Sequence, residues 1–262
     1  MNQFSVLFGV FNYEFRMQIR RRAIWITIGL LALLLVGLLS RQERFFDLLN
    51  SLSNYPLLTV ITYWTGVVNV LLPVGVGVLL ADRLPRDRRS KVDELLTSMP
   101  GALSIRLVGK YLGSMVATLI PMFAFYSLGV GFILYQTHNW LAIPYALETF
   151  AAVVLPGIFF ISAFSIACPS IMWVPLYQFL FVGYWFWGNW LPPRLGIPTL
   201  SQTILTPIGG YMSRGFFGAD ISQAPDNVTA LQGVESILLL TGIAVLVMFV
   251  LWSLLKWQQA RQ

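Results

Sequence analysis

Charge is what this chain has least of. Only 11% of its 262 residues are Asp, Glu, Lys or Arg, against roughly 25% in a soluble domain. That scarcity excludes an ordinary water-soluble globule. A single cysteine, Cys168, rules out an intramolecular disulfide framework, and with one histidine in the chain no Cys/His set has metal-site spacing. No metal site is expected. No G-x-x-x-x-G-K-[ST] stretch occurs, so this chain does not cradle ATP through a phosphate-binding loop, and any ATP drive comes from a partner. The middles of the apolar runs hold no Asp, Glu, Lys, Arg or His, whereas ion-coupled carriers place such groups on their pathway. Proton- or sodium-driven transport is disfavoured, carbonyl-coordinated sodium being the exception.

What is present is apolar surface: 57% of residues are hydrophobic and 15% aromatic. Runs of 17 or more nearly uncharged residues are long enough to cross a bilayer. Six spans are expected, at 23–39, 56–80, 112–135, 146–167, 171–187 and 235–257, in one transmembrane domain covering 1–262. Only Cys168, Pro169 and Ser170 separate the fourth span from the fifth. A continuous helix of about 40 residues would measure about 60 Å, twice the hydrocarbon thickness, so a tight turn is favoured.

Ahead of the spans, in 3–22, Phe4, Phe8, Phe11 and Phe15 recur at helical spacing and Arg16, Arg20, Arg21 and Arg22 gather at the far end. This is the pattern of an interfacial helix, with aromatics at headgroup level and arginines on anionic lipid phosphates. These residues and the long apolar run after them read as a retained anchor, with no cleavable signal peptide expected.

Sidedness follows from lysine and arginine. With the amino terminus inside, the cytoplasmic segments hold four arginines before the first span, seven basic residues from Arg83 to Lys110, and Lys256 and Arg261 at the end. Arg41, Arg44, Arg194 and Arg214 lie outside. That asymmetry places both termini and the 81–110 loop in the cytoplasm of a cell-membrane protein. The net charge of +6 reflects it, and no nucleic-acid partner is implied.

The 81–110 loop is the long charged interruption in the first two thirds of the chain. Within it Ser90 and Asp93 form a capping-box-like start, Val92, Leu95, Leu96 and Met99 share one helical face, and Pro100-Gly101 stops the helix. A helix of about ten residues is too short to span and is shaped to dock, on lipid headgroups, on the protein's own surface or on a partner. The outer segment 188–233 is rich in proline and glycine yet keeps apolar stretches. An ordinary outer loop and a re-entrant one are both open. Re-entry requires protein or a wet cavity to satisfy its backbone.

Uncharged amides in lipid need partners, which singles out Asn69 and, on the fifth span, Gln178. Together with Thr62, Thr65 and Tyr177 they are candidates for a pathway or dimer interface, the alternative being hydrogen bonds within one subunit. Tyr184, Trp185, Phe186, Trp187 and Trp190 read as an interfacial aromatic belt. Gly109 and Gly113 permit close helix approach. His138 reads as solvated, and Asn227-Val228-Thr229 matches a glycosylation acceptor.

The ordering of Arg86 to Lys91, Glu94-Leu95-Leu96, Ser98-Met99-Pro100 and Gly109-Lys110, behind an amino-terminal interfacial helix and among six spans, resembles the membrane subunit of ABC-2-type ATP-binding-cassette transporters. The resemblance covers the topology of the whole chain and about thirty residues of motif. Gly101-Ala102-Leu103 departs from it, standing where polar or basic residues are more usual. It implies an all-α polytopic permease whose cytoplasmic coupling helix, between spans two and three, enters a groove of a separate nucleotide-binding subunit. The coupling role then falls on Asp93, Glu94, Leu95, Leu96 and Met99, with a smaller contact from Cys168, Pro169 and Ser170. It also implies two ATPase subunits carrying ATP and magnesium, a second permease subunit that is the same or a homologous chain, and export of a lipid, peptide, antibiotic or other amphiphile. This chain binds no cofactor and catalyses nothing in that reading. Two other classes stand beside it. An intramembrane lipid-modifying enzyme would use the Asp82, Asp87, Asp93 and Glu94 cluster on a magnesium diphosphate, and a membrane scaffold would transport nothing.

Overall fold

The computed structural model describes residues 3–41, 55–89, 102–191, 196, 198–219, 221 and 224–260. Among them the secondary structure is entirely helical. In chain order the helices are α1 (Gln3–Ile19), α2 (Arg22–Leu39), α3 (Leu57–Leu80), α4 (Arg83–Arg89), α5 (Leu103–Thr137), α6 (Ala142–Thr149), α7 (Leu155–Ala167), α8 (Val174–Trp190), α9 (Gly210–Phe217) and α10 (Ala230–Gln259). A π-helical turn, Phe150–Val154, joins α6 to α7, and a 3-10 turn, Cys168–Ser170, follows α7.

Five stretches are long and apolar enough to cross a membrane: Arg22–Leu39, Leu57–Arg86, Leu103–Thr137, Ala142–Ser170 and Ala230–Gln259. They match expected spans one to four and six. The expected fifth, α8, has 17 residues and a rise of about 26 Å, slightly short of a hydrocarbon core of about 30 Å. Burial ranks the helices. The most apolar window of α3 is 72% buried and that of α10 only 17%, so α3 is the axis of the bundle and α10 presents its apolar side chains outward. In water such exposure would be costly, and in lipid it is not.

Several boundaries differ from those expected, each for a local reason. The third span belongs to a helix that starts at Leu103 rather than 112, because Arg106 and Lys110 lower hydropathy without breaking a helix. Helix α8 starts at Val174 rather than 171, since Trp173 is extended and Pro175 sits in the first turn, where its missing N–H costs nothing. Helix α10 starts at Ala230 rather than 235. Thr229 caps it through a reciprocal capping box with Gln232. The π turn ends two residues before Pro156, and its closing bond runs from the Leu155 N–H to the Phe150 carbonyl. A proline lacks the donor that ordinary α spacing needs there.

Helix α1 does not lie free on a surface. It runs along the first half of α5, and the crossing is close because Gly109 and Gly113 present no side chain. A Cβ at Gly113 would stand 2.7 Å from the Phe11 carbonyl oxygen and 2.9 Å from the Glu14 Cβ. Phe4 and Phe8 remain exposed, Phe11 and Phe15 half-buried, while Glu14 and Gln18 face the protein. The outer phenylalanines are thus on the open face of α1, and the opposite face is a polar seam.

Candidate coupling and pathway site

That seam is built at helical spacing, since Glu14, Gln18 and Arg21 fall at i, i+4 and i+7 of one face. Glu14 is 3% exposed and takes a charge-assisted bond from Arg83, itself 0% exposed at the start of α4. Its other carboxylate oxygen lies 3.9 Å from the Lys110 ammonium on α5. One carboxylate thus holds both roots of the 81–110 segment to α1. Beside it Arg21 grips Asp82 with two bonds of 3.0 and 3.3 Å, fixing the α1–α2 junction to the end of α3. The Arg83 Nε and Nη1 groups are buried with no hydrogen-bond partner among the described residues. Burying a guanidinium is expensive, so this arginine depends on Glu14.

The expected pathway residues sit around α3 and bond within this chain. Thr65 reaches Tyr126 on α5 and Thr149 on α6, both at 3.0 Å. Tyr126 in turn donates to the Ala146 carbonyl at 3.0 Å. Thr62 back-bonds to the Leu58 carbonyl of its own helix, so it links no second element. Asn69 donates to the Ile208 carbonyl at 2.8 Å. On α8, Tyr177 bonds Ser165 at 2.8 Å, and Gln178 donates to the Val78 carbonyl at 3.0 Å. Asn69 and Gln178 each make the bond within one subunit that stood as the alternative to a lined interface, while the Asn69 Oδ1 is buried with no partner among the described residues.

Trp185 is no part of a surface belt. Its indole donates to the Val70 carbonyl at 2.7 Å and the side chain is buried, so Trp185 and Gln178 stitch α8 along α3. Tyr184, Phe186, Trp187 and Trp190 are exposed as a belt requires. His138 terminates α5 in a left-handed conformation, its N–H bonding the Leu134 carbonyl.

The 198–219 segment folds back into the bundle. Asn69, which holds Ile208, is the thirteenth residue of the 24-residue α3, so 206–209 reaches the middle of the longest-buried helix. Gly209 is at φ +88°, against Val153 of the π turn, a conformation that a side chain would strain. The irregular backbone is satisfied by protein. Ser236 donates to the Ile204 carbonyl, Tyr211 to that of Gln202, and the Leu200 and Ser201 N–H groups both reach the Gly188 carbonyl. Thr206 bonds the Asn189 side chain at 3.0 Å.

At the other end, both Ile171 and Met172 donate to the Cys168 carbonyl, closing the turn, with Pro169 buried. The turn packs against α4. Cys168, Pro169 and Ser170 therefore lie beside the root of the 81–110 segment, with Ile171 and Trp173 exposed next to them. Asp93, Glu94, Leu95, Leu96 and Met99 lie outside the described residues.

Sequence reasoning missed Glu14. The signal was there, because Glu14 is the one acidic residue in the first 42, placed among phenylalanines where a carboxylate has no reason to be unless a cation meets it. No family model, curated protein or solved structure matches this chain.

Proposed function

We propose that the chain is the membrane-spanning permease subunit of an ATP-binding-cassette transporter of the ABC-2 type, an exporter of an amphiphile driven by separate nucleotide-binding subunits. The observation that carries the reading is the Glu14 anchor: a single buried carboxylate fastens both roots of the 81–110 segment to α1. A segment that only filled a loop would need no such fixing. A segment that receives a push from a partner must be rigidly joined to the spans it moves. Motion of 90–101 then reaches α3 through Arg83, α5 through Lys110, and α2 through Arg21 and Asp82.

In this reading α8 is the fifth of six spans, both termini are cytoplasmic in the cell membrane, and the 198–219 segment is re-entrant from outside. The turn at Cys168, Pro169 and Ser170 is the second contact with the ATPase, with exposed Ile171 and Trp173 ready to be covered. Two ATPase copies hydrolyse ATP with magnesium, and a second permease pairs with this one. Because Thr62, Thr65, Asn69 and Tyr177 are buried in one chain, the pathway forms when α3 and α8 separate rather than along a lined pore. The experiment is co-expression with candidate ATPases followed by ATP turnover in Leu95→Asp and Leu96→Asp. Coupled turnover lost in both variants supports the reading, and an intact complex with intact turnover in both refutes it.

A further inference from the structure

An apolar groove with a volume of about 540 Å³ runs between α5 and α10 over Phe159 of α7. Phe159 and Ala244 line its depth, Leu107 and Tyr111 one wall, Met248 and Trp252 the other. It extends along α5 from Ser104 to Leu112 and along α10 from Thr241 to Trp252, a rise of about 12 and 16 Å. One leaflet's share of the hydrocarbon is about 15 Å. The groove thus starts at the end of the bundle where α5 begins and α10 finishes, and is one acyl layer deep.

Its mouth is basic. Lys256 stands one turn beyond Trp252, exposed, with its ammonium 5.4 Å from the Trp252 ring centroid. Ser104 of the first turn of α5 lies on the same groove, and Ala102 before it offers no side-chain acceptor to that helix's positive end. None of the described residues lining the groove is a carboxylate. An apolar slot of leaflet depth beneath an ammonium and a helix amino end fits one kind of molecule.

We infer that this groove binds an anionic phospholipid of the cytoplasmic leaflet, one acyl chain between α5 and α10 and its phosphate at Lys256. The inference shares the membrane reading and its sidedness with the proposed function, and owes nothing to ATPase coupling. A chain that recruited no ATPase would still bind the lipid.

The test is native mass spectrometry of the purified full chain released from detergent. Phosphatidylglycerol and phosphatidylcholine with identical acyl chains are offered separately. Phosphatidylglycerol is expected to be retained in preference. Lys256→Gln, a surface change that leaves folding alone, should cut its retention roughly fivefold and leave phosphatidylcholine unchanged. Val245→Trp, from an exposed position on the rim, should reduce both. Equal retention of the two lipids by the native chain overturns the inference, as does Lys256→Gln without effect. A stable dimer that excludes both lipids also overturns it, by making the groove a protein interface.

Discussion

Glu14 is the residue on which the junction of α1, α4 and α5 depends. Its loss leaves Arg83 fully buried without its carboxylate, and breaking a buried ion pair from one side costs about 3–5 kcal/mol. Glu14→Gln should therefore lower the thermal midpoint in detergent substantially. Adding Arg83→Met, which removes the orphaned charge, should recover most of the loss. A Glu14→Gln midpoint equal to wild type contradicts the buried pair. Gly113 makes a second prediction, since any Cβ there meets the Phe11 carbonyl. Gly113→Leu should displace α1, at a cost of about 1–3 kcal/mol, seen as faster tryptic cleavage after Arg16 and Arg20; unchanged cleavage argues against the crossing. Composition could not reveal either contact. Glu14 meets partners 69 and 96 positions away, and helical spacing says which side chains share a face but not what they face.

Among the elements, the long apolar helices were legible, with the ends at Leu39, Leu80 and Ala167 falling where expected, while the starts of α5, α8 and α10 were not. Hydropathy reports where lipid contact begins. Helix α5 begins about two and a half turns before that point because Arg106 and Lys110 are good helix formers and Lys110 meets Glu14. The start of α10 was in fact written in Thr229 and Gln232, a capping box that the overlapping glycosylation pattern obscured. The fold-back of 198–219 was open in the sequence because proline and glycine mark irregular backbone without saying what it rests on. Asn69 supplies the answer, and Asn69→Leu tests it. The substitution leaves the Ile208 carbonyl buried without its donor, a loss of about 1–3 kcal/mol. Hydrogen exchange should accelerate in peptides covering 204–213 while those of α10 stay protected. Uniform exchange across both would mean that the amide holds nothing in place.

At the scale of the whole molecule, the fold is a bundle around α3, and the proposed function puts its basic end in the cytoplasm. Replacing Cys168 with serine gives a cysteine-free background for topology. A cysteine placed at Ala260 should react with impermeant reagents only in inside-out vesicles, and one at Asn139 only from outside. The reverse pattern, or both sites on one side, contradicts the span order. Substrate class was not legible, because the residues that looked like a pathway make bonds inside one chain, Thr65 and Tyr177 through their hydroxyls and Asn69 through its amide N–H group.

The central claim is that a partner's ATP cycle drives this bundle through the 81–110 segment. Its most direct measurement is purification of the chain with the ATPase subunits of its own source, with ATP turnover compared in wild type and in Leu95→Asp. The account predicts a complex whose turnover responds to the permease and collapses when a charge enters the docking stripe. Failure of any ATPase to associate, or turnover in the complex indifferent to Leu95→Asp, would contradict it.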